Sequence, residues 1–119
     1  MTPTSAVDPS RELIDRIRLL LPGQQPREVR MFGVLALMVE DSMAVAVHKD
    51  GSLLVRVDPA EDAEMLRKPD ASRAEMGTGR SMGEGWIRVE ARALRDDTAL
   101  VGWLEVATRY LAQRKPVHP

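Results

Sequence analysis

Apolar residues recur in two rhythms along this chain. From residue 9 to 21 they fall at Leu13, Ile14, Ile17, Leu20 and Leu21. That spacing of i, i+1, i+4, i+7 and i+8 lines one side of a helix, and Arg11, Asp15, Arg16 and Arg18 lie off the stripe. Asp8-Pro9 supplies the start, with Asp as N-cap and Pro at the first helical position, and Pro22-Gly23 supplies the stop. A second helical stripe (Leu100, Trp103, Leu104, Ala107 and Leu111) predicts a closing helix over roughly 98–113, capped by Asp96 or Asp97.

Between the two stripes the pattern shortens to that of strands. Residues 29–32 read as a short strand that Gly33 breaks or bulges. Residues 34–39 are apolar at every position, as in a strand covered on both faces. Residues 43–47 and 53–57 follow, joined by Lys49-Asp50-Gly51, whose Asp-Gly is a strong hairpin signal. These segments predict an antiparallel meander. Asp58-Pro59-Ala60-Glu61 reads as a capping box opening a short helix, about 59–67, that Pro69 stops. Residues 70–85 read as a loop, with Gly77, Gly79, Gly83 and Gly85 around Arg80. Residues 86–90 read as a later strand, Ile87 and Val89 on one face and Arg88 on the other. The expected fold class is α+β: an antiparallel sheet, meander plus one later strand, packed with N-terminal and C-terminal helices. One domain over 1–119 is expected, with frayed tails at 1–7 and 115–119.

Composition narrows the function classes. Of 119 residues, 44% are hydrophobic and 29% charged, a globular balance. The absence of cysteine excludes disulfides, a thiolate nucleophile and a Cys-based zinc site. A net charge of −1 does not advertise a nucleic-acid binder. The 17 basic residues divide into 14 arginines and 3 lysines, which reads as the coding bias of a GC-rich genome or, alternatively, as selection for phosphate or carboxylate forks. No apolar run approaches the ~20 residues of a membrane span, and no signal peptide is visible, so no membrane association is expected and the expected location is cytoplasmic.

Candidate chemistry is sparse. His48 and His118 are the only histidines, and His48 with its turn neighbour Asp50 does not amount to three converging ligands, so no metal is expected. Ser42, Ser52, Ser72 and Ser81 fall in turns and loops without a nucleophile-elbow pattern. The pairs Glu40/Asp41, Glu61/Asp62 and Asp96/Asp97 sit at turns and helix starts, where carboxylates satisfy free backbone donors. The glycine-rich run 77–85 lacks the Gly-Lys-Ser/Thr ending of a phosphate loop and leads into a strand. It reads instead as a loop in which Arg80, with Met82, could contact a partner. Met31, Met38 and Met43 lie in or beside the strands, as core filler or as a sheet face that packs on a second subunit.

Several short motifs nevertheless occur in an order that is similar to a known family. A helix is followed by Arg30-Met31-Phe32-Gly33 opening an apolar strand. Then come Leu53-Leu54-Val55-Arg56-Val57-Asp58, the series Met76, Arg80, Met82, Gly85-Trp86, Arg88-Val89, and Leu94, Leu100 and Trp103 of a closing helix. Over about 11–114 this resembles the N-terminal domain of TfoX/Sxy proteins, in particular its stand-alone, actinobacterial-type members. Val34 stands where the family has a second glycine, and Leu54 where it has a tyrosine. The resemblance implies the α+β fold and a link to regulation of natural competence. Full-length members carry a further C-terminal domain and are thought to act with a cyclic-AMP-responsive activator at promoters. It implies no catalytic residues and no cofactor, and it makes Met31, Phe32, Gly33, Gly85 and Trp86 structural.

The expected function is a non-enzymatic regulatory or protein-interaction module working through a protein partner, with a homodimer as a further expectation and without direct specific DNA binding. The alternative is a small-ligand-binding domain or unrecognised enzyme using the sheet face and the loop 70–85.

Overall fold

The structure, a computed structural model, describes residues 9–21, 25–31, 33–39, 42–75 and 79–114. The proposed cap Asp8, the motif residue Phe32 and the expected tails 1–7 and 115–119 lie outside the described residues. Helix α1 (Pro9–Leu20) leads into strands β1 (Arg27–Met31), β2 (Val34–Val39), β3 (Ser42–Val47) and β4 (Leu53–Arg56). A 3-10 turn (Pro59–Glu61) and helix α2 (Asp62–Leu66) follow, then β5 (Ala71–Arg73) and β6 (Trp86–Val89). A second 3-10 turn (Ala91–Leu94) precedes α3 (Asp97–Arg114). The strands form one antiparallel sheet in the order β1-β2-β3-β4-β6-β5.

Strand alternation sends successive side chains to opposite faces, and the register sorts them cleanly. Leu37, Val45, Val55 and Ile87 lie in one cross-strand row. They are fully buried against Leu13, Ile14 and Ile17 of α1 and Leu100, Trp103, Leu104 and Ala107 of α3. Both helical stripes read from the sequence therefore face this core. Asp96 is the N-cap of α3: its carboxylate accepts the Thr98 N–H at 3.0 Å. Arg16 ties the two helices together by donating to the Leu94 carbonyl and to Asp97, both at 2.7 Å.

Gly33, at φ +79°, breaks the strand run as expected, and does so by closing a hairpin in which Met31 pairs with Val34. Three expectations need correction. Strand β2 is not covered on both faces, and only its Ala36 and Leu37 are buried. A uniformly apolar strand cannot show from its own pattern that one face lacks a covering layer. Residues 70–85 are not wholly loop. Short β5 pairs with β6, a Glu75–Ser81 bridge extends the pairing, and the Met82 N–H donates to the Ala74 carbonyl at 2.9 Å. Three residues without apolar alternation, paired to a strand more than ten residues on, leave no local signal. At the second helix start, the Asp58 carboxylate caps the Ala60 N–H at 2.9 Å, but the Glu61 carboxylate takes Arg109 at 3.0 Å instead of completing the box.

Candidate functional site

The sheet face turned away from α1 and α3 carries a second apolar cluster. Ala36, Ala46, Leu54 and Ala74 form its buried floor, and half-buried Met31, Val34, Met38, Met43, Met82 and Trp86 surround them. Met43 joins this face through a bulge between Leu37 and Met38, which places Met38 opposite Met43. The result is an open cleft of about 1310 Å³, with Met31, Val34, Met43, Leu54, Met82 and Trp86 among its lining.

The turn between β3 and β4 makes one end of the cleft polar. Asp50 accepts the Ser52 hydroxyl at 2.7 Å, the Ser52 N–H at 2.9 Å and Arg88 at 2.6 Å. These bonds, the Ser52 hydroxyl first, pull the Asp50 carboxyl down to about 2. Half-buried His48 is pushed below its ordinary value by burial and by the Arg88 charge, against the opposing pull of Asp50, so its imidazole is neutral at pH 7. Ser52 is fully buried, and its hydroxyl is committed to Asp50 rather than to a histidine. His48, Asp50 and Ser52 thus form a turn-stabilising cluster, without the Ser-to-His hydrogen bond of a nucleophilic relay. Among the described residues, no three His, Cys, Asp or Glu side chains are grouped to hold a metal ion.

The other end of the cleft is held by a buried latch. Asp62, 4% exposed, accepts Arg73 at 2.8 Å and the Gly85 N–H at 2.7 Å. The Arg73 hydrogen bonds hold the Asp62 carboxyl below the usual range despite burial. Gly85 sits at φ +93°, and a Cβ there would lie 2.9 Å from the Val57 carbonyl oxygen. The latch fixes the start of β6, where Trp86 lies beneath the Arg56 guanidinium at 5.0 Å from the ring centre.

The sequence-predicted residues separate here. Met31, Gly33, Met82 and Trp86 line the cleft. Gly85 is buried behind it, and Arg80 is exposed, outside the lining and without an ion pair among the described residues. Of the pair Glu61/Asp62, expected as helix-start carboxylates, Asp62 does open α2, but its carboxylate is the buried partner of Arg73. Val34 and Leu54 also line the cleft with no sequence signal of a site beyond the strand parity that sets them on one face. Met43, expected with Met31 and Met38 either as core filler or as a face for a second subunit, lies on the open face, which it reaches through the bulge that its own sequence does not mark.

The family model of the TfoX N-terminal domain matches residues 19–110. The chain belongs to the TfoX N-terminal domain family. Comparison with curated proteins and with solved structures gave no match. Within the family's frame, Met31 and Gly33 of the first motif and Trp86 of the Gly-Trp motif line the cleft, as do the two departures from the family pattern, Val34 and Leu54. No helix among the described residues is long and apolar enough to cross a membrane.

Proposed function

We propose that this TfoX N-terminal domain is a non-enzymatic, cytoplasmic regulatory module that docks a protein partner on its open sheet face. The observation that carries the reading is that face itself, where four methionines and Trp86 stay half-buried on a sheet whose opposite side is sealed by helices. A contiguous solvent-facing apolar face rimmed by polar residues supports an interaction surface, and methionine adapts to the shape of a partner. The family resemblance supports a role in competence or transcription regulation exerted through that partner.

Direct reading of DNA is not part of the proposal. Among the described residues, seven of the fourteen arginines are already ion-paired (Arg11 and Arg18 on Glu28, Arg16 on Asp97, Arg73 on Asp62, Arg88 on Asp50, Arg92 on Asp70 and Arg109 on Glu61), and a net charge of −1 gives the chain no basic excess for phosphates. Fluorescence anisotropy with host promoter fragments is expected to show only non-specific affinity, in the range of about 10⁻⁴–10⁻⁶ M at physiological salt.

The test of the docking face is capture from the native host with three baits. The wild type and Leu19→Glu, altered at the 86%-exposed Leu19 on α1, are expected to retain the same partner. Met43→Glu, altered in the cleft, is expected to lose it. Equal capture by Met43→Glu, or loss with Leu19→Glu alone, would overturn the docking reading. The polar end of the cleft, with neutral His48 beside Arg88 and Asp50, favours a second reading as a small-ligand site. A metabolite thermal-shift screen in which one compound raises the melting point by several degrees would favour it.

A further inference from the structure

We infer that the open face pairs with a second copy of this chain, two sheets stacked about a two-fold axis parallel to the strands. This rests on the docking reading for the choice of face and adds the occupant. Three features of the face point to a copy of itself.

The first is relief. One cross-strand row on this face reads Val29, Ala36, Ala46, Leu54, Arg88, Ser72 from β1 to β5. An axis along the strands, midway between β3 and β4, maps this row onto itself in reverse. Leu54 of each copy then lies over Ala46 of the other, and Arg88 over Ala36. Small positions receive large ones, the interdigitation that face-to-face sheets require. Two residues further along the strands, Met38 meets the other copy's Trp86 by the same rotation.

The second is charge. The cleft lining holds Lys49, Arg73 and Arg88 against Asp50, Glu75 and Glu90, a balance that selects neither an acidic nor a basic partner. At one sheet edge Arg27 is exposed and has no ion-pair partner among the described residues. At the opposite edge, and at the same end of the strands, exposed Glu75 has no ion-pair partner among the described residues and accepts a long bond from the Gly79 N–H at 3.4 Å. The rotation exchanges the two edges and keeps the strand ends, so it brings Arg27 of each copy to Glu75 of the other. Rotation about an axis across the strands would set β1 on β1 and leave both charges unmatched. A net charge of −1 puts little repulsion between the copies.

The third is area. Six strands at ~4.8 Å spacing and about five residues at ~3.4 Å make a flat footprint of roughly 400 Å² per copy. A standard interface buries about 800 Å² of accessible surface per partner. Side-chain relief narrows that gap without closing it, so the pair is weak, with a dissociation constant on the order of 10–100 µM. Weak self-pairing shields the methionines at high concentration and yields the face to a tighter partner.

Sedimentation velocity on the full chain from 5 to 500 µM tests this. The wild type is expected to pass from monomer to dimer across that range. Arg27→Glu and Glu75→Arg, both at exposed positions, are each expected to raise the dissociation constant about tenfold, since symmetry makes each ion pair twice. The double variant Arg27→Glu/Glu75→Arg is expected to restore it. A wild type that stays monomeric at 500 µM overturns the inference, as does a dimer indifferent to the single reversals or not rescued by the double one. The two readings fail separately. A monomeric wild type whose partner capture is still lost with Met43→Glu removes only the second copy. A charge-sensitive dimer whose capture ignores Met43→Glu removes only the outside partner.

Discussion

Removing the Asp62 carboxylate should unlatch the segment that leads into β6. In the folded protein that carboxylate accepts two bonds from the Arg73 guanidinium and one from the Gly85 N–H. Asp62→Ala leaves the buried Gly85 N–H without its acceptor, and stranding a buried donor costs ~1–3 kcal/mol. Breaking a buried ion pair from one side costs ~3–5 kcal/mol when the surviving charge is sealed in. Arg73 is 27% exposed at its side chain and still donates to the Gly83 carbonyl at 2.6 Å, so its share falls well below that range. Together the loss comes to roughly 3 kcal/mol. A chain of 119 residues has an unfolding entropy near 250 cal/mol/K, so the expected fall in melting temperature is about 12 °C. Differential scanning calorimetry at pH 7 reads it. A variant melting within ~2 °C of the wild type would refute the latch. The sign of the pH dependence gives a second check. Arg73 depresses the folded pKa of Asp62, so the stabilisation is full above the ordinary carboxylate range and is lost as pH falls through the depressed value. The gap between wild type and Asp62→Asn should therefore be widest near neutrality and close in acid. A gap independent of pH would show that the carboxylate charge is not what holds the segment.

Further substitutions probe other parts of the structure. Gly85→Ala should cost more than ~2 kcal/mol, because the left-handed backbone and the Val57 carbonyl oxygen 2.9 Å away both oppose a side chain; an unchanged denaturant midpoint would contradict that geometry. Ile17→Ala and Leu104→Ala, both fully buried, should each cost roughly 2–5 kcal/mol, and wild-type melting of both would contradict the packing of α1 and α3 on the sheet. Arg80→Ala should leave melting within about 1 °C of the wild type, since that side chain is exposed and unpaired among the described residues. Unfolding by this change would make Arg80 a structural residue.

What could be read from the chain alone was whatever local chemistry decides. The stripes at Leu13, Ile14 and Ile17 and at Leu100, Trp103 and Leu104 announced two helices, because a helix repeats its face within a few residues. Asp50-Gly51 announced the β3–β4 turn, and the alternation from Trp86 to Val89 announced a strand with one buried face. The order of short motifs was enough to suggest the family to which the chain belongs. Everything that makes the candidate site was decided at longer range. β6 inserts beside β4 and takes β5 on its far edge, a pairing no local turn specifies. The bulge after Leu37 turns Met43 toward Met38, and only the assembled sheet shows that their face lacks a covering helix. Asp62 looked like one more helix-start carboxylate until the fold brought Arg73 and Gly85 to it. The physical reason is shared: turn and helix preferences act over a few residues of chain. Sheet order, face coverage and buried ion pairs depend on which distant segments win the burial of a common core.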